Sequence, residues 1–167
     1  MKKIIAVMVA TIMLAVATPT VFGATTVTGT FTPSSSGVSI ACNRTSPAFG
    51  SIALNSEGSI ENIYVNNTGD TNCSVTMTAE DGSGTWSLVA GTDSPATSNE
   101  YCVNMKVEDG AFQDVQTQKT VSSDIPPSGA GTNYTYVALK VHVSKYTSEG
   151  TPGEQTFFTN LTASAIS

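Results

Sequence analysis

The chain has 167 residues, 12% of them charged, with seven Lys and Arg against thirteen Asp and Glu and a formal net charge of −6. Lys2 and Lys3 belong to an N-terminal leader described next. Without them five basic residues face thirteen acidic ones, a net charge of −8, which excludes nucleic acid and anionic membrane surfaces as natural partners. Few charges with abundant Ser, Thr, Asn and Gly suit a neutral, β-rich exterior, and no amphipathic helical pattern follows the leader.

Lys2 and Lys3 precede an apolar run over residues 4–17, Pro19 breaks it, and the small residues Gly23 and Ala24 follow. This is the layout of a secretory signal peptide, residues 1–23, with cleavage expected near Gly23 or Ala24 and Ala17 as a second candidate. The apolar run is shorter than the ~20 residues a bilayer span needs. The expected location is therefore secreted, extracellular or at the cell surface, with no membrane insertion once the signal is removed. About 143 of the 167 residues remain, one domain in size and enough for a substantial core. The expected division is an N-terminal strand and linker over residues 24–36 and a body over residues 37–167.

Residues 25–33 alternate, with Val27, Gly29 and Phe31 on one face and threonines on the other, so they predict a strand. Pro33 and Ser34-Ser35-Ser36-Gly37 predict a flexible linker. Val38, Ile40 and Cys42 alternate in the next strand. Phe49-Gly50-Ser51-Ile52 leads to an apolar run over residues 60–65, then Asn66-Asn67-Thr68-Gly69-Asp70, then a run carrying Cys73, Val75 and Met77, the pattern of a β-hairpin with a marked turn. Residues 85–89 predict a short strand in which Trp86, the one tryptophan, supplies core area. The polar run 91–99 predicts a loop. Tyr101, Val103, Met105 and Val107 alternate before Asp109-Gly110, a strong hairpin signal. Residues 120–132 lack a strand pattern and predict a crossing between sheets. Residues 134–146, with Val137, Leu139, Val141 and Val143 on one face, predict the clearest long strand, and residues 155–166 close the fold.

About nine short strands at this spacing predict an all-β, two-sheet antiparallel sandwich. The order of an early strand, Phe49-Gly50, a strand, Asn67-Thr68-Gly69 and another strand resembles the immunoglobulin-like sandwich domains of the abnormal-spindle/NEW3 kind, found in secreted and surface proteins. The resemblance covers residues 38–77 and implies fold and compartment. A signal, an N-terminal alternating strand and then a sandwich also resemble, in layout, the donor-strand pilins and biofilm-fibre subunits.

No catalytic template fits. His142 is the one histidine, and its strand phase places it with Lys140 opposite the valines, on the surface. There is no Gly-x-Ser-x-Gly elbow, phosphate loop or His-Glu-x-x-His helix, and the expectation is a protein that is not an enzyme and takes no cofactor. Cys42, Cys73 and Cys102 are spaced too widely for a zinc site. Asp70, Glu80, Asp81, Glu108, Asp109 and Asp114 sit near turns but match no calcium loop and are expected to be solvated. In an oxidising compartment the inward phases of Cys42 and Cys73 predict a bridge between them, leaving Cys102 as a free or intermolecular thiol. Five Asn-x-Ser/Thr sequons, at Asn43, Asn66, Asn72, Asn133 and Asn160, are candidate glycosylation sites.

Two functions of different class fit this pattern. One is a non-catalytic structural or cell-surface subunit that forms filaments through self-association, donating Val27, Gly29 and Phe31 to a neighbour's sheet. The other is an adhesive or carbohydrate-binding module with a glycan ligand, presenting Trp86, Tyr134, Tyr136 or Tyr146. Partners are then further copies, other surface proteins or a glycan.

Overall fold

The computed structural model describes residues 25–36, 38–148 and 153–166, and the expected signal peptide lies outside them. The described residues form eleven strands and no helix: β1 (Thr25–Ser36), β2 (Ile40–Cys42), β3 (Ala48–Ile52), β4 (Glu57–Asn67), β5 (Cys73–Asp81), β6 (Ser87–Leu88), β7 (Glu100–Val107), β8 (Gln113–Asp114), β9 (Lys119–Ile125), β10 (Tyr134–Val143) and β11 (Gln155–Ala165). Sheet A has the order β3-β1-β11-β5-β9. Sheet B has the order β2-β4-β10-β7-β6, with β8 paired to β7.

The chain changes sheet at almost every connection, which explains the main departures from expectation. The Asn67-Thr68-Gly69 segment does not close a hairpin: β4 lies in sheet B and β5 in sheet A. The fully buried Asn67 side chain shapes this crossing, donating to Thr71 O at 2.7 Å and Ile125 O at 3.0 Å and accepting from Gly69 N at 2.9 Å. Residues 120–125, within the stretch expected to lack strands, belong to β9 (Lys119–Ile125) on the edge of sheet A. The pairing is also not wholly antiparallel, because β1 runs parallel to β11 and β6 parallel to β7. The Asp109-Gly110 hairpin does form, pairing β7 with β8.

The core lies between the sheets. Sheet A contributes Val27, Phe31, Ile52, Val75, Met77, Phe157 and Leu161, and sheet B contributes Ile63, Val65, Tyr101, Val103, Met105, Leu139 and Val141. Trp86 is buried as expected, whereas Phe49 is only half-buried at the core margin. In β4, Ile60 and Ile63 both point inward at an odd spacing. A bulge reconciles them: the β4–β10 register slips between Val137 and Leu139, and Asn62 takes a φ of 58°, a left-handed conformation that Asn tolerates better than most residues.

Sheet B is also covered on part of its outer face. Asn104 Nδ2 donates to Gly91 O at 2.6 Å, Cys102 Sγ to Asp93 O at 3.2 Å and Lys145 N to Pro95 O at 3.0 Å. These contacts hold the loop between β6 and β7 over Cys102, Asn104, His142 and Ser144, all buried.

Candidate functional site: the slot filled by the N-terminal strand

β1 is an interior strand of sheet A. On one side it pairs in parallel with β11 from Val27↔Gln155 to Ser36↔Ser164. On the other it pairs antiparallel with β3, and the contact continues past the ladder as Gly29 N donates to Pro47 O and Phe31 N to Thr45 O, both at 2.8 Å. The backbone of Ser34–Ser36 continues β1 where a linker was expected, so the link to β2 shortens to residues 37–39.

The predicted donor face is the one that enters the core. Val27 is 1% exposed and Phe31 2% exposed. Gly29 lies over the Phe157 ring: a Cβ there would meet Phe157 Cζ at 2.7 Å, so only a residue without one fits the slot unmoved. Phe157 in turn packs on Phe49 and Tyr101, with ring centroids 5.8 Å and 6.3 Å apart. Thr159 Oγ1 donates to Thr30 O at 2.8 Å and fixes the register from the β11 side. Burying Val27 and Phe31 contributes about 1.5–3 kcal/mol each, a large share of the 5–15 kcal/mol that typically holds a domain together. Without β1, β3 and β11 would be two unpaired edges flanking a slot lined by Ile52, Phe157 and Leu161.

The cysteines do not form the expected bridge: Cys42, Cys73 and Cys102 are all free thiols. Cys42 sits opposite Val65 in sheet B and Cys73 opposite Ala165 and Ile125 in sheet A. β2 lies against β1, and β5 is two strands further across sheet A, roughly 10 Å at the usual strand spacing. Shared inward phase does not overcome that separation. Cys102, expected as an available thiol, is fully buried beneath the β6–β7 loop. Burial pushes the Cys42 thiol up to about 11 and the Cys102 thiol, helped by Asp114, up to about 12.

His142 also departs from expectation. It lies on the predicted face but is only 8% exposed, because the β6–β7 loop roofs that part of the sheet. Burial lowers its pKa, although Glu57 Oε2 stands 3.5 Å from Nδ1. The other oxygen of Glu57 pairs with Lys140 Nζ at 2.9 Å. Among the described residues no group of three or more His, Cys, Asp and Glu is placed to hold a metal ion, and no helix is long and apolar enough to cross a membrane.

Three of the sequon amides are engaged. Asn43 Nδ2 donates to Asn62 O, Asn72 Nδ2 to Asp124 Oδ1 and Asn133 Nδ2 to Asn67 O. Asn66 and Asn160 are half-buried on β4 and β11. Of the aromatic candidates, Trp86 is in the core, Tyr146 is 61% exposed, and Tyr134 and Tyr136 join Tyr64 in a cluster on the outer face of sheet B. Tyr64 was missed because the bulge in β4 hides its outward phase from simple alternation. Phe157 was missed as the partner of Gly29, since nothing local to either residue links the chain ends.

Against known proteins, no protein-family model matches the chain and no curated protein matches it either.

Proposed function

We propose that the protein is a secreted, non-catalytic surface subunit with an immunoglobulin-like sandwich, and that copies assemble by exchanging β1. The observation that carries this reading is the place of β1: a terminal strand, joined through residues 37–39, fills an apolar slot between β3 and β11 in its own sheet. A neighbour's β1 offers the same Val27, Gly29 and Phe31 to the same slot. Exchange between copies then conserves every contact inside the slot, which is the low-cost route to assembly known as strand or domain swapping. At the far end of the 37–39 link Ser39 is anchored, its carbonyl accepting from Thr68 N and Gly69 N.

The test compares the chain starting at Ala24 with a form lacking residues 24–36. The full form should yield oligomers in sedimentation analysis and filaments by negative-stain microscopy, after concentration or after refolding from denaturant. The shortened form should not polymerise, and a synthetic peptide of residues 25–36 should bind it and restore its solubility. A full form that stays monomeric through refolding, with a shortened form that is stable and ignores the peptide, would end this reading.

A further inference from the structure

The outer face of sheet B carries an aromatic cluster that the core does not use. Tyr64 on β4 packs against Tyr134 and Tyr136 on β10, with ring centroids 5.3 Å and 6.1 Å apart and interplanar angles of 76° and 56°. Tyr134 is 43% exposed. None of the three hydroxyls has a hydrogen-bond partner among the described residues, whereas the buried Tyr101 hydroxyl is held by Asp81 at 2.8 Å. Cross-strand packing accounts for the contacts between the rings, but not for three free hydroxyls on one open face.

The cluster ends at the β7–β8 turn. Glu108 N donates to Tyr136 O at 3.0 Å and Gly110 N to Val107 O at 2.9 Å. Glu108 adopts a φ of 47°, and it is the one residue other than Asn or Gly with positive φ among the described residues. Strain of this kind persists where the surroundings impose it and concentrates at binding sites. Behind the turn lies a cavity of about 390 Å³ lined by Glu108, Gln113, Thr120, Ser122, Ser123 and Thr135, within the size range of ligand pockets. Thr135 Oγ1 donates to Glu108 Oε1 at 3.3 Å, so Glu108 stands between cavity and tyrosines. Asp109 and Glu108 are close enough to the Tyr136 hydroxyl to raise its pKa, Asp109 the more strongly.

The chemistry of this strip selects its ligand. Aromatic faces take C–H surface, while carboxylates, hydroxyls and an amide take hydroxyl groups. Two cations of sheet B are engaged elsewhere: Lys106 with Glu61 at 3.5 Å and Lys140 with Glu57 at 2.9 Å, both of them over the Phe112 ring. An anionic ligand would be repelled by the carboxylates of Glu108 and Asp109. We infer that Tyr64, Tyr134 and Tyr136, continued by Glu108 and the cavity behind it, form a binding site for a neutral oligosaccharide. The pyranose rings lie on the tyrosines, and Glu108, Gln113 and Ser122 receive the hydroxyls. The site spans sheet B and β9, the edge strand of sheet A three strands away from β1, so the inference holds for a monomer and an assembled subunit alike.

Calorimetric titration of the full chain with cellohexaose, chitohexaose, maltohexaose and mannohexaose tests it. At least one should bind, and Tyr134→Ala or Tyr136→Ala should weaken that binding by about tenfold, the loss of one aromatic contact. Glu108→Gln should weaken it as well, and Tyr146→Ala, an exposed aromatic elsewhere, should leave it unchanged. Tyr136→Phe keeps the ring and controls for folding, alongside thermal melts of each variant. Absence of binding to all four sugars, or binding that survives the Tyr134→Ala, Tyr136→Ala double variant, would overturn the assignment. So would a response confined to calcium and abolished by Glu108→Gln, which would make the strip a cation site.

Discussion

Replacing Gly29 by alanine tests the fit of β1 in its slot. The new methyl group would lie 2.7 Å from Phe157 Cζ and 3.0 Å from Cε2, inside van der Waals contact. Phe157 is fully buried between Phe49 and Tyr101 and has no route to solvent. Overpacking of this kind costs about 1–3 kcal/mol, and replacing glycine within a strand returns about 0.5–1 kcal/mol, so a net loss near 1–2 kcal/mol is expected. In a domain of this size that lowers the melting temperature by about 3–8 °C, measurable by circular dichroism and by the urea midpoint. Phe157→Leu removes the atoms that clash, so the Gly29→Ala, Phe157→Leu double variant should be more stable than the sum of the single effects by at least about 0.5 kcal/mol. A neutral Gly29→Ala, or strictly additive effects, would refute the packing of β1 over Phe157.

Asn67→Ala strips the crossing between β4 and β5 of three hydrogen bonds and should cost about 2–3 kcal/mol; an unchanged urea midpoint would show that the side chain does not organise the crossing. The pKa of His142 lies below its ordinary value of 6.5, so folding favours the neutral form. Its contribution is complete above that value and is lost as pH falls through it, when the unfolded chain takes up a proton that the folded chain refuses. Glu57, lowered from 4.5 chiefly by its hydrogen bond with Lys140, contributes above its ordinary value and loses that contribution at lower pH. Stability should therefore decline in two steps on acidification, and His142→Gln should remove only the upper one; a flat profile between pH 7.5 and 5.5 in the parent would contradict the burial of His142. Non-reducing mass mapping should find three unbridged thiols, with Cys42, the only one not fully buried, alkylated ahead of the others. A Cys42–Cys73 peptide pair would show that the sheets lie closer there than described.

What the sequence disclosed was local and what it hid was long-range. Period-two alternation placed most strands and their inward residues, Val27 and Phe31 included, because one face of each strand must be apolar whatever its partner. Turn chemistry marked Asn66–Asp70 correctly as a bend but could not distinguish a hairpin from a crossing, since Asn67 serves a crossing by reaching Ile125, 58 residues away. The strand β9 escaped because Lys119–Ile125 includes Ser122, Ser123 and Asp124 on an edge where few side chains need be apolar. Burial of His142 and Cys102 escaped for a different reason. Strand phase reports which face a side chain takes, and the cover over that face is an irregular loop with no periodicity to read.

The position of β1 couples the fold to the proposed assembly. Its partners Val27 and Gln155 are 128 positions apart in sequence (155 − 27), so no part of the β1–β11 ladder can form until β11 has. Contacts between chain ends are slow to form, and the slot is open until some β1 fills it. The chain's own strand arrives through a tether of residues 37–39 at an effective concentration of the order of millimolar, and a neighbour's strand arrives at the concentration of neighbours. In dilute solution the intramolecular fit wins on rate. Where subunits are delivered side by side at comparable local concentration the two routes compete on equal terms, because the contacts they make in the slot are the same. Whether the chain remains a closed monomer or joins its neighbours then depends on how crowded the subunits are when β11 completes the slot.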